Sequence, residues 1–241
     1  MASPFSLGSP EEAWRSSPPK HTKYVAIIPP TSRYPNYTAA IDSIKTKVLS
    51  LKGKLLETIE WDPRTNLVVC LSGERTVWES ERLKAAIAAG IWVTTSSYVK
   101  RSSELGYWIS DPKDYAWTSL ITQRRQEVYK NNVKGCLFWK TKALLLTKEE
   151  ATRESYTRII KAGQGTVSTE YQSLEALQAN PPDYRQITHV ILDPANDQSS
   201  QSTLPLKLLL ASLGIDIKFL DTHQLDDYIM RPNRKSLPGA P

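Results

Sequence analysis

The feature that most constrains this chain is an order of elements read twice along it. In the first half, Tyr24-Val25-Ala26-Ile27-Ile28 is a short apolar strand ended by Pro29-Pro30. An amphipathic helix follows from about Asn36 to Leu51, with Ala40, Ile41, Ile44, Val48 and Leu51 on one face and Gly53 at its end. Leu55-Leu56 and Leu67-Val68-Val69-Cys70 are further strands. A second helix runs from Ser80 to Ala89, Ile91-Trp92-Val93 is a fourth strand, and Ser96 to Ser103 is a third helix ended near Gly106. In the second half, Lys142 to Leu146 is a strand, Glu149 to Ala162 a helix stopped by Gly163, and Thr166-Val167 and Thr188 to Leu192 are strands. Leu204 to Leu213 is an apolar helix stopped by Gly214, Ile215 to Phe219 a strand, and Asp221 to Met230 the last helix. The order β-α-β-β-α-β-α thus occurs twice. Strands alternating with helices form a parallel sheet covered on both faces, and short, nearly all-apolar strands fit that burial. The fold class is α/β.

Around these halves, residues 1–20 are rich in Ser and Pro and read as a flexible arm, and 232–241 as a flexible tail. Residues 113–134 join the halves, with a linker helix over Gln123 to Tyr129. In the chain of 241 residues, 40% hydrophobic content supports a packed core. No apolar run reaches the ~18 residues that span a bilayer; the longest, Leu204 to Leu213, is broken by Pro205 and Lys207. Met1 to Pro10 lacks the pattern of a signal peptide, so a soluble intracellular chain with no membrane partner is expected. Cys70 and Cys136 sit among apolar residues and are expected to be buried, reduced thiols. The net charge of +6 favours acidic partners, although 31 basic and 25 acidic residues are well mixed.

Catalytic patterns are missing. The chain has no Gly-x-Gly-x-x-Gly or Walker A loop and no Gly-x-Ser-x-Gly elbow. His21, His189 and His223 are scattered, and His189 lies in a core strand, where a hydrogen-bonded structural role is expected. No enzyme activity, cofactor, metal or small-molecule substrate is expected.

The stretch Ser80-Glu81-Arg82-Leu83-Lys84-Ala85-Ala86-Ile87-Ala88-Ala89-Gly90-Ile91-Trp92-Val93 is the most specific in the chain. It resembles the BRCT repeat, in which a helix ending in Ala-x-Gly-x-Trp-Val leads into the fourth strand. Gly90 permits the tight exit from the helix. Tyr98 stands where the family has an aromatic of the third helix, with Ser102 four residues on. Asp114-Tyr115-Ala116-Trp117 and Gly135 to Trp139 look similar to pairs of such repeats in checkpoint scaffolds. The resemblance implies two tandem BRCT repeats over 21–112 and 135–231, each a four-stranded parallel sheet flanked by helices. It also implies that the third helix of the first repeat joins the first and third helices of the second, with the apolar face of Tyr98 to Ser102 and Leu225, Tyr228 and Ile229 as candidates there.

By the same resemblance, the chain is a nuclear protein-interaction module of a DNA-damage checkpoint or repair scaffold. Its partner would be a phosphorylated checkpoint or repair protein, held by phosphoserine or phosphothreonine. The family uses a hydroxyl and an N–H after the first strand and a Lys at the start of the second helix. Counted back from Gly90, the Lys position is Arg82, which keeps the charge and adds a fork suited to phosphate. After Pro29-Pro30, which offer no N–H, Thr31 and Ser32 supply hydroxyl and amide and Arg33 adds charge; a plain proline-rich turn is the other reading. Lys84 falls where the family lines the pocket for the third residue after the phosphosite, which favours an acidic or polar residue there. Glu79 stands where several members carry an Arg. Two alternatives remain: a phosphate-independent scaffold for another repair protein, and direct binding of DNA or chromatin.

Overall fold

The computed structural model describes residues 22–29, 37–58, 60–71, 79–131, 136–147, 149–168, 174–179, 182–193 and 204–231. The expected arm and tail, and Thr31, Ser32 and Arg33, lie outside the described residues. In chain order the strands and helices are β1 (Tyr24–Ile28), α1 (Tyr37–Ser50), β2 (Lys54–Leu56), β3 (Leu67–Cys70), α2 (Glu81–Ala88), β4 (Val93–Thr95), α3 (Ser96–Leu105) and α4 (Ser119–Asn131). They continue as β5 (Lys142–Leu146), α5 (Glu150–Ala162), β6 (Thr166–Ser168), α6 (Leu174–Ala179), β7 (His189–Leu192), α7 (Leu204–Ser212), β8 (Lys218–Asp221) and α8 (Thr222–Met230). The described residues fall into two compact units. The first takes those up to Glu57 and those within 64–77 and 92–119; the second takes those within 58–63 and 78–91 and those from Leu120 onward.

The first unit holds a four-stranded parallel sheet of order β2-β1-β3-β4. Val25 lies opposite both Leu55 and Leu67, and Val68 opposite Val93. Every residue of Leu67–Cys70 is buried, which is why this strand is an unbroken apolar run. Ile44 and Val48 of α1 and Tyr98 and Val99 of α3 close the core over Val25, Ile27, Leu67 and Val69. Trp108 joins them, its indole N–H donating to the Leu51 carbonyl at 3.1 Å. A Cβ at Gly53 would come within 2.9 Å of both the Trp108 ring and Val48, so only glycine fits that approach.

The second unit repeats the sheet as β6-β5-β7-β8, all parallel. Leu144 lies opposite Val190, and Ile191 opposite Leu220. Leu206 and Leu210 of α7, Leu177 of α6 and Tyr184 pack on Leu144, Leu146 and Val190. Helix α8 starts on a complete capping box. The Asp221 carboxylate accepts from the Gln224 amide, and the Gln224 side chain accepts from the Asp221 amide. Among the described residues no helix is long and apolar enough to cross a membrane.

Two strands start later than the sequence predicts, for one shared reason. Gly90 and Gly214 both take φ of +67°, and the next residue's amide turns back to the preceding helix: Ile91 to the Ala86 carbonyl and Ile215 to the Leu210 carbonyl, each at 2.9 Å. These turns use up Ile91 and Ile215, so pairing begins at Val93 and Lys218. Helix α6 was not read from the sequence, because its six residues are too short for an apolar period. Helix α4 extends the expected linker helix at both ends.

The expected role of α3 is corrected. Tyr98 and Ser102 point into the first unit's own core: the Tyr98 hydroxyl donates to the Ile109 carbonyl at 2.6 Å, and the Ser102 hydroxyl accepts from the Ile109 amide at 3.2 Å. Tyr98 also stacks on Trp108 with centroids 5.9 Å apart and meets Tyr115 edge-on at 5.7 Å. Burial, with Asp111 and Tyr115 adding to it, pushes the Tyr98 hydroxyl well above its ordinary pKa, so it stays a donor. The helix that packs on α5 and α8 is α2.

Candidate phosphate-binding site

Helix α2 places Arg82 and Lys84, the two candidate residues the structure describes. Its turn of about 3.6 residues sets neighbouring side chains about 100° apart. Glu81, Lys84 and Ala88 therefore form one stripe, and each meets another part of the second unit, to which α2 itself belongs. Glu81 accepts from the Arg158 guanidinium at 2.8 and 3.1 Å and from the Trp61 amide at 3.2 Å. The Lys84 ammonium lies 2.6 Å from an Asp226 carboxylate oxygen and 5.7 Å from the centre of the Tyr156 ring. The Ala88 carbonyl accepts from the Leu137 amide at 2.8 Å.

Arg82 projects from a different side of the helix and is half-buried. Burial lowers its pKa and neighbouring Glu81 works against that, so at neutral pH the guanidinium keeps its charge. It stands in the first turn of α2, where amide N–H groups point outward and the helix dipole favours an anion. Ser80 has the extended backbone of an N-cap, but its hydroxyl makes no capping hydrogen bond. A permanent cation in the first turn of a helix can bind a phosphate oxygen by charge-assisted hydrogen bonds.

Lys84 is held differently. Its side chain is only 12% exposed, and its charge is matched by Asp226. An acidic ligand group reaching Lys84 competes with that carboxylate. Tyr156 belongs to the same cluster: burial first, and Asp226 second, raise its hydroxyl well above the ordinary value. For Glu81, burial acts to raise the pKa. The Arg158 side chain, the Trp61 amide and the Ser155 hydroxyl outweigh it and hold the carboxyl below its ordinary 4.5.

The sequence reading missed Glu81, Arg158, Tyr156 and Asp226. Their pairings link residues far apart in the chain, and no local pattern marks them. Arg124 of α4 was missed as well. It is buried, donates to the Ile229 carbonyl at 3.3 Å and to the Tyr228 carbonyl, and lies over the Tyr228 ring at 4.7 Å, closing the C-terminal end of α8. The expectation for His189 holds: it is buried, with Nδ1 2.8 Å from the Thr188 hydroxyl. Cys70 and Cys136 are buried and form no disulfide. Among the described residues no group of His, Cys, Asp and Glu could hold a metal ion.

The fold is that of tandem BRCT domains. The BRCT5-BRCT6 domains of S. pombe Brc1 align with a TM-score of 0.50 at 12% identity, covering 90% of this chain and 94% of that one. Rtt107p, solved in complex with phosphorylated histone H2A, aligns with a TM-score of 0.47 at 9% identity, covering 95% of each chain. In sequence, the chain is similar to the SMC5-SMC6 complex localization factor protein 1 of Bos taurus, 30% identical over 137 residues. That match covers 51% of this chain and 12% of the bovine protein. No family model matches the chain.

Proposed function

We propose that this chain is a non-enzymatic interaction module of a nuclear DNA-damage checkpoint or repair scaffold, and that it binds a partner segment carrying phosphoserine or phosphothreonine. The observation that carries the reading is Arg82: half-buried, charged, and set in the first turn of α2. Thr31 and Ser32, with Arg33, follow the first strand and supply the remaining phosphate contacts, and Lys84 meets an acidic or polar residue further along the peptide. The tandem BRCT fold supports the reading, as does the sequence likeness to a localization factor of the SMC5-SMC6 complex. A finer likeness, of Asp114 to Trp117 and Gly135 to Trp139 to the C-terminal BRCT pair of the topoisomerase II-binding protein, belongs to the same reading.

Binding to an array of phosphoserine and phosphothreonine peptides and their unphosphorylated twins, followed by titration calorimetry on the best, tests it. Charge-assisted hydrogen bonds contribute about 1.5–3 kcal/mol each, so Arg82→Ala should weaken binding by roughly one to two orders of magnitude. Arg82→Lys should weaken it less, keeping the charge but losing the fork. Equal affinity for phosphorylated and unphosphorylated peptides would establish a phosphate-independent scaffold instead, the reading that Glu79 and the missing N–H of Pro29 favour.

A further inference from the structure

Helix α7 turns an uncharged face to water. Leu206 and Leu210 anchor the helix on the second sheet and are buried. At about 100° per residue, Leu204, Leu208, Ala211 and Ser212 then share one outward stripe. Leu209 and Leu213 flank it; Leu213 still belongs to the helical turn, its amide donating to the Leu209 carbonyl at 3.1 Å. All six residues are exposed, the leucines at 53%, 62%, 49% and 58% in chain order. The side-chain polar groups of α7 are already engaged. The Ser212 hydroxyl donates to the Leu209 carbonyl at 2.7 Å. Pro205, in the first turn, brings no N–H. The one charge of the helix, Lys207, lies to the side, its ammonium 5.1 Å from the centre of the Phe219 ring on β8. A helix face kept in water ordinarily carries charged residues. Covering this one strands no side-chain donor.

The stripe is also complementary to itself. Its large residues, Leu204 and Leu208, come first, and its small ones, Ala211 and Ser212, come last. When two copies of α7 run antiparallel about a two-fold axis at Leu208, each Leu204 meets the other copy's Ala211 and Ser212, and the two Leu208 side chains lie side by side. Large against small is the fit that lets helices pack closely. No charge is buried, and no like charges meet. A head-to-tail contact fits worse. The faces of α5 and α8 that receive α2, the counterpart of α7, are already covered by α2, and they offer it the charges of Arg158 and Asp226.

We infer that α7 is a self-association surface, through which two copies of this chain pair antiparallel about a two-fold axis. Such an axis gives each copy the same contacts and closes the assembly at two. Two helices of nine residues, each about 14 Å long, bury less than the roughly 1,200 Å² of a stable complex. The pairing is therefore transient, with a dissociation constant on the order of 100 μM. Well below that concentration the chain is a single copy and α7 is open to water. The surface goes beyond the proposed peptide reading, since neither Arg82 nor Lys84 takes part in it.

Sedimentation equilibrium on the full chain, from about 10 μM to about 1 mM, tests the inference. The average mass should rise from that of one chain toward that of two and stop there. Leu208→Glu, which sets two carboxylates against each other at the axis, should weaken pairing at least about tenfold. Leu49→Glu, at an equally exposed leucine of α1, should leave it unchanged. Ala211→Leu separates a fitted contact from general stickiness: it adds apolar surface but fills the gap that Leu204 needs, so pairing should weaken. Leu208→Cys should give a disulfide-linked pair on mild oxidation, and Leu49→Cys should not; Cys70 and Cys136 are buried in both. Thermal melts identify any variant that loses its fold, and the cysteine variants then carry the test. A mass that stays at one chain throughout, a mass that climbs past two, equal effects of Leu208→Glu and Leu49→Glu, or stronger association of Ala211→Leu would each overturn it.

Discussion

Helices α2 and α7 occupy the same place in the two halves, between the third and fourth strands, and they are finished differently. In α2, Leu83, Ala85, Ala86, Ile87 and Ala88 are all buried, and its stripe of Glu81, Lys84 and Ala88 is bound to α5, α8 and the segment before β5. In α7, Leu206 and Leu210 are buried, while Leu204, Leu208 and Leu209 are about half exposed or more, Leu208 at 62%. The helix with the more apolar sequence is the more exposed. Apolar content records how much surface a helix could bury, and packing decides how much it does. Small alanines let α2 be approached closely; branched leucines on α7 fill the space around them with nothing laid over it among the described residues.

Substitutions can break or sharpen this contrast. The largest effect is expected at Leu83, fully buried on α2: Leu83→Ala should cost about 2–5 kcal/mol in chemical denaturation. A smaller effect belongs to the charged stripe. Glu81→Gln keeps the shape but loses the ion pair with Arg158, and because both side chains are partly exposed the loss should be about 1 kcal/mol at neutral pH. The pH dependence has a definite sign. The folded-state pKa of Glu81 lies below 4.5, so its contribution is complete above that value and is lost as pH falls through the folded pKa. Melting midpoints of Glu81→Gln should therefore approach those of the wild type on acidification. The smallest effect is expected on α7: Leu208→Gln should change stability by less than about 0.5 kcal/mol. A loss comparable with that of Leu83→Ala would mean that the outer face of α7 is covered in solution.

Much of the fold was legible in the sequence because parallel strands buried on both faces are apolar runs. Tyr24 to Ile28 and Lys142 to Leu146 are read to the residue. The starts of β4 and β8 were misread because the Gly90 and Gly214 turns take apolar residues that look like strand. Of the candidate site, counting back from Gly90 put Arg82 and Lys84 on α2. That Lys84 is paired with Asp226 was not legible, since the two are 142 positions apart and nothing local marks either. Tyr98 was read as an interface residue because an aromatic at a helix start does not say which side it faces; here Ile109, Trp108 and Tyr115 claim it for the core.

The position of α2 in the chain has a consequence for how such a molecule can be inherited. The helix lies between β3 and β4, yet its charged stripe is matched by Arg158, Asp226 and Tyr156, so no single cut yields two pieces that each keep their own contacts. A fragment ending at Ser119 would carry Glu81 and Lys84 without counter-charges, and a fragment starting at Leu120 would carry Arg158 and Asp226 in the same state. Recombination that exchanged one half for that of another protein would have to preserve those charges on both sides of the junction. The two halves are therefore bound to travel together, and a charge reversal at Glu81 survives best when Arg158 reverses with it.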